Sequence, residues 1–264
     1  MINLPNFDAN KFIDKACNFI KETVQNAHCN GVVLGLSGGI DSAVVAFLSV
    51  KALGKENVKG FILPSKTTSK QDLDDANVVA KQLGIETKTI SIEDFHVNFI
   101  NLCNPNNLEN KYSTLASANI KPRIRMSILY YYATINNSLV IGTGNKTEIS
   151  VGYFTKYGDG GVDLLPIGDL YKEEVKQVAK QLEVPIEIIE KAPSAGLLPE
   201  QADEKELGMT YPILDRLLYL YLEEGLNVQQ IAQKLEISPQ EVERIINLYQ
   251  NSEHKRHTAP ILQK

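Results

Sequence analysis

Apolar residues recur along this chain in two rhythms. Phe12, Ile13, Ala16, Phe19, Ile20 and Val24 fall three and four apart, which predicts a helix over 8–28. Val32-Val33-Leu34-Gly35-Leu36 is a short unbroken apolar run and reads as a strand. A Ser/Gly turn then opens Ala43-Val44-Val45-Ala46-Phe47-Leu48, a helix stopped by Gly54. Val58 to Leu63 is a second strand, ending at Pro64-Ser65, and Ser69-Lys70-Gln71-Asp72 is a capped start to a helix running to Leu83-Gly84. Thr87 to Ile92 reads as a third strand, and a helix from about Asp94 carries Phe95, Phe99 and Ile100. Asn104-Pro105-Asn106-Asn107 is a loop, 113–135 a long helix with a proline near its start, and Leu139-Val140-Ile141 a strand ending at Gly142. Beyond Pro185 the pattern is helical, and 227–246 has the look of a helix-turn-helix. Strands alternating with helices predict an α/β fold, a doubly wound parallel sheet flanked by helices with a helical C-terminal part over about 185–264. In such sheets ligands sit at the carboxyl ends of the strands. The Ser/Gly turn, Pro64-Ser65 and Gly142-Thr143-Gly144 all fall at such ends.

Composition narrows this picture without redirecting it. With 43% hydrophobic and 22% charged residues, a chain of 264 residues can bury one large core, so 1–264 reads as a single domain. A net charge of −5 gives no electrostatic reason to expect nucleic acid. The acidic residues Glu236, Glu241 and Glu243 make the helix-turn-helix a packing pair rather than a DNA reader. Packing is also the reading for the Tyr130-Tyr131-Tyr132 and Tyr219-Leu220-Tyr221-Leu222 runs. Cys17, Cys29 and Cys103 lack paired or metal-type spacing and fit a reduced cytoplasmic protein. The first eight residues are not a signal peptide, and no apolar run reaches the ~20 residues of a membrane span.

The chemistry begins at Gly35-Leu36-Ser37-Gly38-Gly39-Ile40-Asp41-Ser42. A glycine-rich turn opening a helix aims backbone N–H groups and the positive end of the helix dipole at one spot, which suits a phosphate. The hydroxyls of Ser37 and Ser42 can donate there too. Asp41 would repel a phosphate unless a cation lies between them, so it implies Mg²⁺. Three other readings compete. The glycines could serve the turn alone. Gly35-Leu36-Ser37-Gly38-Gly39 also satisfies the nucleophile-elbow pattern, but it follows the first strand, lacks an HGGG-type segment and finds no obvious triad histidine among His28, His96, His254 and His257. A P-loop is excluded because no G-x-x-x-x-G-K-[ST] string occurs.

The Ser-Gly-Gly-Ile-Asp-Ser string resembles the pyrophosphate loop of the N-type ATP pyrophosphatases, which cleave ATP between the α- and β-phosphates. Gly142-Thr143-Gly144-Asn145-Lys146-Thr147-Glu148 and Gly152 to Pro166 resemble the central signature of the NAD synthetases within that superfamily. Lys121-Pro122-Arg123-Ile124-Arg125-Met126, Lys191-Ala192-Pro193-Ser194-Ala195 and Glu253-His254-Lys255-Arg256 agree, in family order and over essentially the whole chain. The resemblance implies an adenine nucleotide alpha hydrolase-like fold and ATP-dependent amidation of deamido-NAD through an acyl adenylate, the last step of NAD biosynthesis. It implies ATP contacts from residues 35–42, Thr143, Lys172 and Ser194, where many relatives have threonine at the last position. Asp41 and Lys172 are the expected catalytic residues, with Asp41 and Glu148 the expected Mg²⁺ ligands. Arg123, Lys156, Asp163, His254 and Lys255 match positions that hold deamido-NAD. Taken singly, Lys156 and Lys172 read as surface lysines. Only about thirty residues precede the first strand, too few for a glutaminase domain, so ammonia is the expected nitrogen donor. Relatives of this kind imply a homodimer. Two other classes stay open on the loop alone: a tRNA-modifying pyrophosphatase, for which no basic surface is visible, and a non-catalytic nucleotide-binding module, which would have no use for Glu148 beside Asp41.

Overall fold

A computed structural model describes residues 7–104, 106, 110–194, 196–198 and 202–263. Along the chain run α1 (Ala9–Asn26), β1 (Gly31–Gly35), α2 (Ile40–Leu53), β2 (Val58–Ile62), α3 (Lys70–Leu83), β3 (Glu86–Thr89), α4 (Glu93–Cys103), α5 (Ser113–Ile135) and β4 (Ser138–Val140). Then follow α6 (Lys146–Val151), α7 (Lys172–Gln181), α8 (Ile186–Ile189), α9 (Asp203–Leu207), α10 (Tyr211–Leu222), α11 (Val228–Leu235), α12 (Pro239–Asn251) and α13 (Glu253–Arg256). The four strands are all parallel, in the order β3-β2-β1-β4. The chain winds outward from β1 through β2 to β3, then crosses back to β4 on the other side of β1. That reversal opens a crevice beyond the carboxyl ends of β1 and β4.

Alternation along the strands explains the layers. Val32 and Leu34 of β1 point into one core, shared with α1, α2 and α7, while Val33 between them points into another, against α5. A third apolar cluster lies among α10, α11 and α12, built on Leu214, Leu217, Leu218, Ile231, Val242 and Ile245. The helix-turn-helix look-alike, α11 and α12, therefore turns its apolar faces inward as a packing pair. Members of the tyrosine runs pack likewise, though Tyr131 stays exposed: Tyr132 stacks on Phe61 at 4.6 Å between ring centroids, and Tyr219 and Tyr221 sit edge-on to Tyr171 and Tyr249.

Two details differ from the sequence expectations, and a third goes beyond them. The third strand ends at Thr89, because Ile90 and Ile92 only follow β2 outward, bonding to the carbonyls of Ile62 and Pro64 before α4 begins. Pro122 stands well inside α5 instead of near its start. The apolar residues of α4 do not face a core: Phe95 is 61% exposed and Leu102 83%, beside Leu115, Tyr131 and Ile135 exposed on α5. The loop expected at 104–107 falls partly outside the described residues. No helix among the described residues is long and apolar enough to cross a membrane.

Candidate active site

The turn after β1 is braced from within. Ser37 N–H donates to Ser42 Oγ at 3.2 Å, Gly39 N–H to Ser37 Oγ at 3.2 Å, and Ser42 Oγ–H to the Gly39 carbonyl at 2.9 Å. The two hydroxyls also lie 3.0 Å apart. With the Ser42 proton on Gly39, the Ser37 proton goes to Ser42. Both hydroxyls therefore hold the loop's shape instead of standing ready as free donors. Gly39 caps α2 without a side-chain hydrogen bond, so no cap competes with an oxyanion for the first-turn amides.

Asp41, in that first turn, meets groups from two other elements. Asn145 Nδ2 donates to Asp41 Oδ1 at 3.0 Å, and Lys172 Nζ donates to Asp41 Oδ2 at 2.5 Å and to Glu148 Oε1 at 3.2 Å. Asn145 and Glu148 form the capping box of α6, which fixes Glu148 at the helix start. Lys172 is 2% exposed, 5.1 Å over the Tyr211 ring, so the surface reading of this lysine is overturned. Its own backbone N–H bonds to Thr147 Oγ1 at 3.1 Å, and Thr147 donates to Asp215 Oδ1 at 2.5 Å. Asp215 Oδ2 also accepts the Glu173 N–H at 2.9 Å. One fully buried carboxylate of α10 thus fixes the starts of both α6 and α7, the helices bearing Glu148 and Lys172.

Burial pushes the Glu148 carboxyl up; Lys172 draws it back, Asp41 pushes again, and it settles near 7. Burial works against the Lys172 ammonium, but Asp41 and then Glu148 more than offset it and hold the proton on. Burial likewise raises Asp215 to about 6 against the hydrogen bonds of Thr147 and Glu173.

Gly35, Leu36, Ser37, Gly39, Ile40, Asp41, Ser42, Thr143, Glu148, Lys172, Ser194 and Lys255 line one cleft of about 500 Å³. It opens at the carboxyl ends of β1 and β4. The family model for NAD synthase matches residues 12–259. The chain belongs to the NAD synthase family. It is 48% identical to the NH(3)-dependent NAD(+) synthetase of Archaeoglobus fulgidus, over 95% of this chain and 96% of that one. The NMN synthetase of Francisella tularensis superposes with a TM-score of 0.85 at 37% identity, covering 98% of this chain and 100% of the other. The glutamine-dependent NAD+ synthetase of Acinetobacter baumannii superposes with a TM-score of 0.68 at 28% identity, and all of this chain covers 48% of that one.

Within this family member, not every expected residue reaches the cleft wall. Gly38 turns its carbonyl to Lys191, 3.2 Å away. Arg123 is exposed and donates to the Lys156 carbonyl at 3.3 Å through Nη2. The Lys156 ammonium bonds in turn to the carbonyl of His254, whose side chain is exposed. Asp163 accepts Tyr130 O–H at 2.9 Å and Val140 N–H at 2.7 Å, tying its loop to β4. Lys255 lines the cleft while donating to the carbonyls of Gly152 and Phe154 at 2.7 and 2.9 Å.

Sequence reasoning assigned no role to Asn145, Thr147, Lys191 or Asp215. The first three lie inside strings already singled out. Asp215 had one local signal, a carboxylate between Leu214 and Leu217 on a helix otherwise made for burial.

Proposed function

We propose that this chain amidates the nicotinate carboxylate of deamido-NAD with ammonia, using ATP and releasing AMP and pyrophosphate. The observation that carries the reading is the constellation of Asp41, Glu148 and Lys172 beside a braced phosphate loop at the sheet's reversal point. A carboxylate resists ammonia because its charge repels nucleophiles and oxide is a poor leaving group. Attack of that carboxylate on the α-phosphorus of ATP makes an acyl adenylate, from which ammonia displaces AMP. Negative charge gathers on the departing pyrophosphate, where the amides of 37–42 and the α2 dipole would stabilise it. Lys172 carries a held proton next to that charge and serves as an electrostatic group. Thr143 and Ser194, which both line the cleft, would orient ATP.

Asp41 and Glu148 suit Mg²⁺: both are oxygen donors, both reach one ammonium, and magnesium takes one or two carboxylates together with substrate phosphates. Bound there, Mg²⁺ would supply charge neutralisation on the phosphates. Arg123, Lys156, Asp163, His254 and Lys255 would hold deamido-NAD. The exposed Phe95, Leu102, Leu115 and Ile135 support a homodimer through α4 and α5.

The test is stoichiometry. The purified chain with ATP, Mg²⁺, ammonium and deamido-NAD is expected to form one AMP and one pyrophosphate per NAD. ADP in place of AMP would overturn the mechanism. Nicotinate mononucleotide is run beside deamido-NAD because of the Francisella relative; a higher kcat/KM for the mononucleotide would move the substrate assignment. Glutamine is expected not to replace ammonium.

A further inference from the structure

Lys191 follows α8 and opens the segment that carries Ser194. Its ammonium has three partners: the Gly38 carbonyl at 3.2 Å, Asp72 Oδ1 at 2.5 Å and Asp75 Oδ2 at 2.7 Å. One side chain thereby joins the phosphate loop, the start of α3 and the Ser194 segment. Both carboxylates are aimed: Ser69 Oγ donates to Asp72 at 2.7 Å, and Gln71 Nε2 to Asp75 at 2.7 Å. Asp75 is 5% exposed. The loop leans on the same place. Gly38 has φ +77°, and a Cβ there would lie 2.2 Å from the Asp72 carbonyl oxygen, so only glycine fits between loop and helix.

The charges matter as much as the contacts. Asp72 and Lys191 both line the cleft, and two carboxylates lie beside a loop shaped for polyphosphate. With Lys191 present they carry one net negative charge, and without it two. We infer that Lys191 is a positioning residue for ATP: it fixes the Gly38 peptide of the phosphate loop and cancels acidic charge that would repel the triphosphate. The inference rests on the reading that this loop takes the phosphates of ATP. Ser194, three residues on, lies on the cleft-lining segment that the same tether holds.

Calorimetric titration with Mg-ATP, without deamido-NAD, separates this from amidation itself. Lys191→Met is expected to weaken ATP binding roughly tenfold or more, while kcat at saturating ATP and KM for deamido-NAD change by less than about threefold. The deficit narrows as salt rises, because its charge part is screened. Adding Asp75→Asn to Lys191→Met removes one of the two stranded carboxylates, the more buried one, and recovers part of the affinity. If melting curves show that Lys191→Met does not fold, Lys191→Arg, which keeps the charge but alters the fit at Gly38, is expected to show a smaller loss confined to ATP. Unchanged ATP affinity, an equal loss for deamido-NAD, or a double variant no better than the single one overturns the inference. A wild-type chain that binds ATP but makes no NAD would sink the amidation reading and leave Lys191 standing. A wild-type chain that binds no ATP sinks both.

Discussion

The groups assigned to ATP and those assigned to deamido-NAD are held in opposite ways. On the ATP side the side chains satisfy one another: Lys172, with its side chain 3% exposed, bonds to two carboxylates that are 17% and 18% exposed. On the other side each cation rests on a main-chain carbonyl. Arg123 bonds to the carbonyl of Lys156, Lys156 to that of His254, and Lys255 to those of Gly152 and Phe154. This relay stitches α5 to the 152–156 segment and the tail. A neutral carbonyl is a weaker partner than a phosphate oxyanion, so a dinucleotide could take these cations over at low cost. The first region is finished before substrate arrives; the second has partners that substrate can replace. Damage to the cluster of Asp41, Glu148 and Lys172 should appear in kcat, and damage to the cations of the second region in KM for deamido-NAD.

The sharpest break would come from Asp41→Asn or Glu148→Gln. Each is expected to lower kcat at saturating substrates by about a hundredfold or more, on the order of 3 kcal/mol of transition-state stabilisation. The fold should survive, since Lys172 keeps one carboxylate in either variant. Lys172→Met strands both acids and is expected to lower the melting temperature more than either. Near-normal rates at moderate Mg²⁺ in the Asn or Gln variant would erase the contrast between the two regions.

A smaller effect probes how the first region is built. Asp215 is buried, and its folded-state carboxyl lies near 6, above its ordinary value of 3.8. A raised carboxyl favours folding while the pH is below its unfolded value, and that contribution fades as pH rises through about 6. The shift corresponds to roughly 3 kcal/mol at most, part of it offset by other groups that titrate in the same range. Melting curves of Asp215→Asn against pH should therefore fall less steeply between pH ~4 and ~6 than those of the wild type. Parallel curves would show that Asp215 is not the group that titrates.

Much of this was legible in the chain, for identifiable reasons. Local rhythms announce the strand, turn and helix around Ser37, and the alternation of elements predicts a parallel sheet with its ligands at the carboxyl ends of the strands, while the order that puts the reversal at β1 and β4 is written in no local pattern. The capping residue at Ser69 and the stop at Gly84 act within a few positions, so the string carries them. The Thr147–Asp215 bond and the Lys191–Asp75 pair join residues 68 and 116 positions apart, and no local pattern records them. Lys172 looks like any lysine at a polar helix start, because what buries it comes from α2, α6 and α10. The periodicity of α4 is genuine, yet a period says only that a face is apolar, not what covers it.

The smallest expected effects separate two neighbours in the tail. The sequence gives His254 and Lys255 as a pair facing deamido-NAD and predicts that replacing both raises KM for the dinucleotide far more than for ATP. In the structure the two differ: Lys255 lines the cleft, and the His254 side chain is exposed and contributes its carbonyl to Lys156. Lys255→Ala is accordingly expected to raise KM for deamido-NAD about tenfold, the size of one charge-assisted hydrogen bond. His254→Ala, which leaves that carbonyl in place, should change it by no more than about threefold. Lys255 also holds the chain just past α6, so a structural role alone would loosen Glu148 and lower kcat. Ammonium positioning on substrate predicts the reverse split, with KM moved and kcat kept within about twofold. If Lys255→Ala instead lowers kcat with KM unchanged, the tail belongs to the braced region of the molecule, and the division between the two halves runs elsewhere.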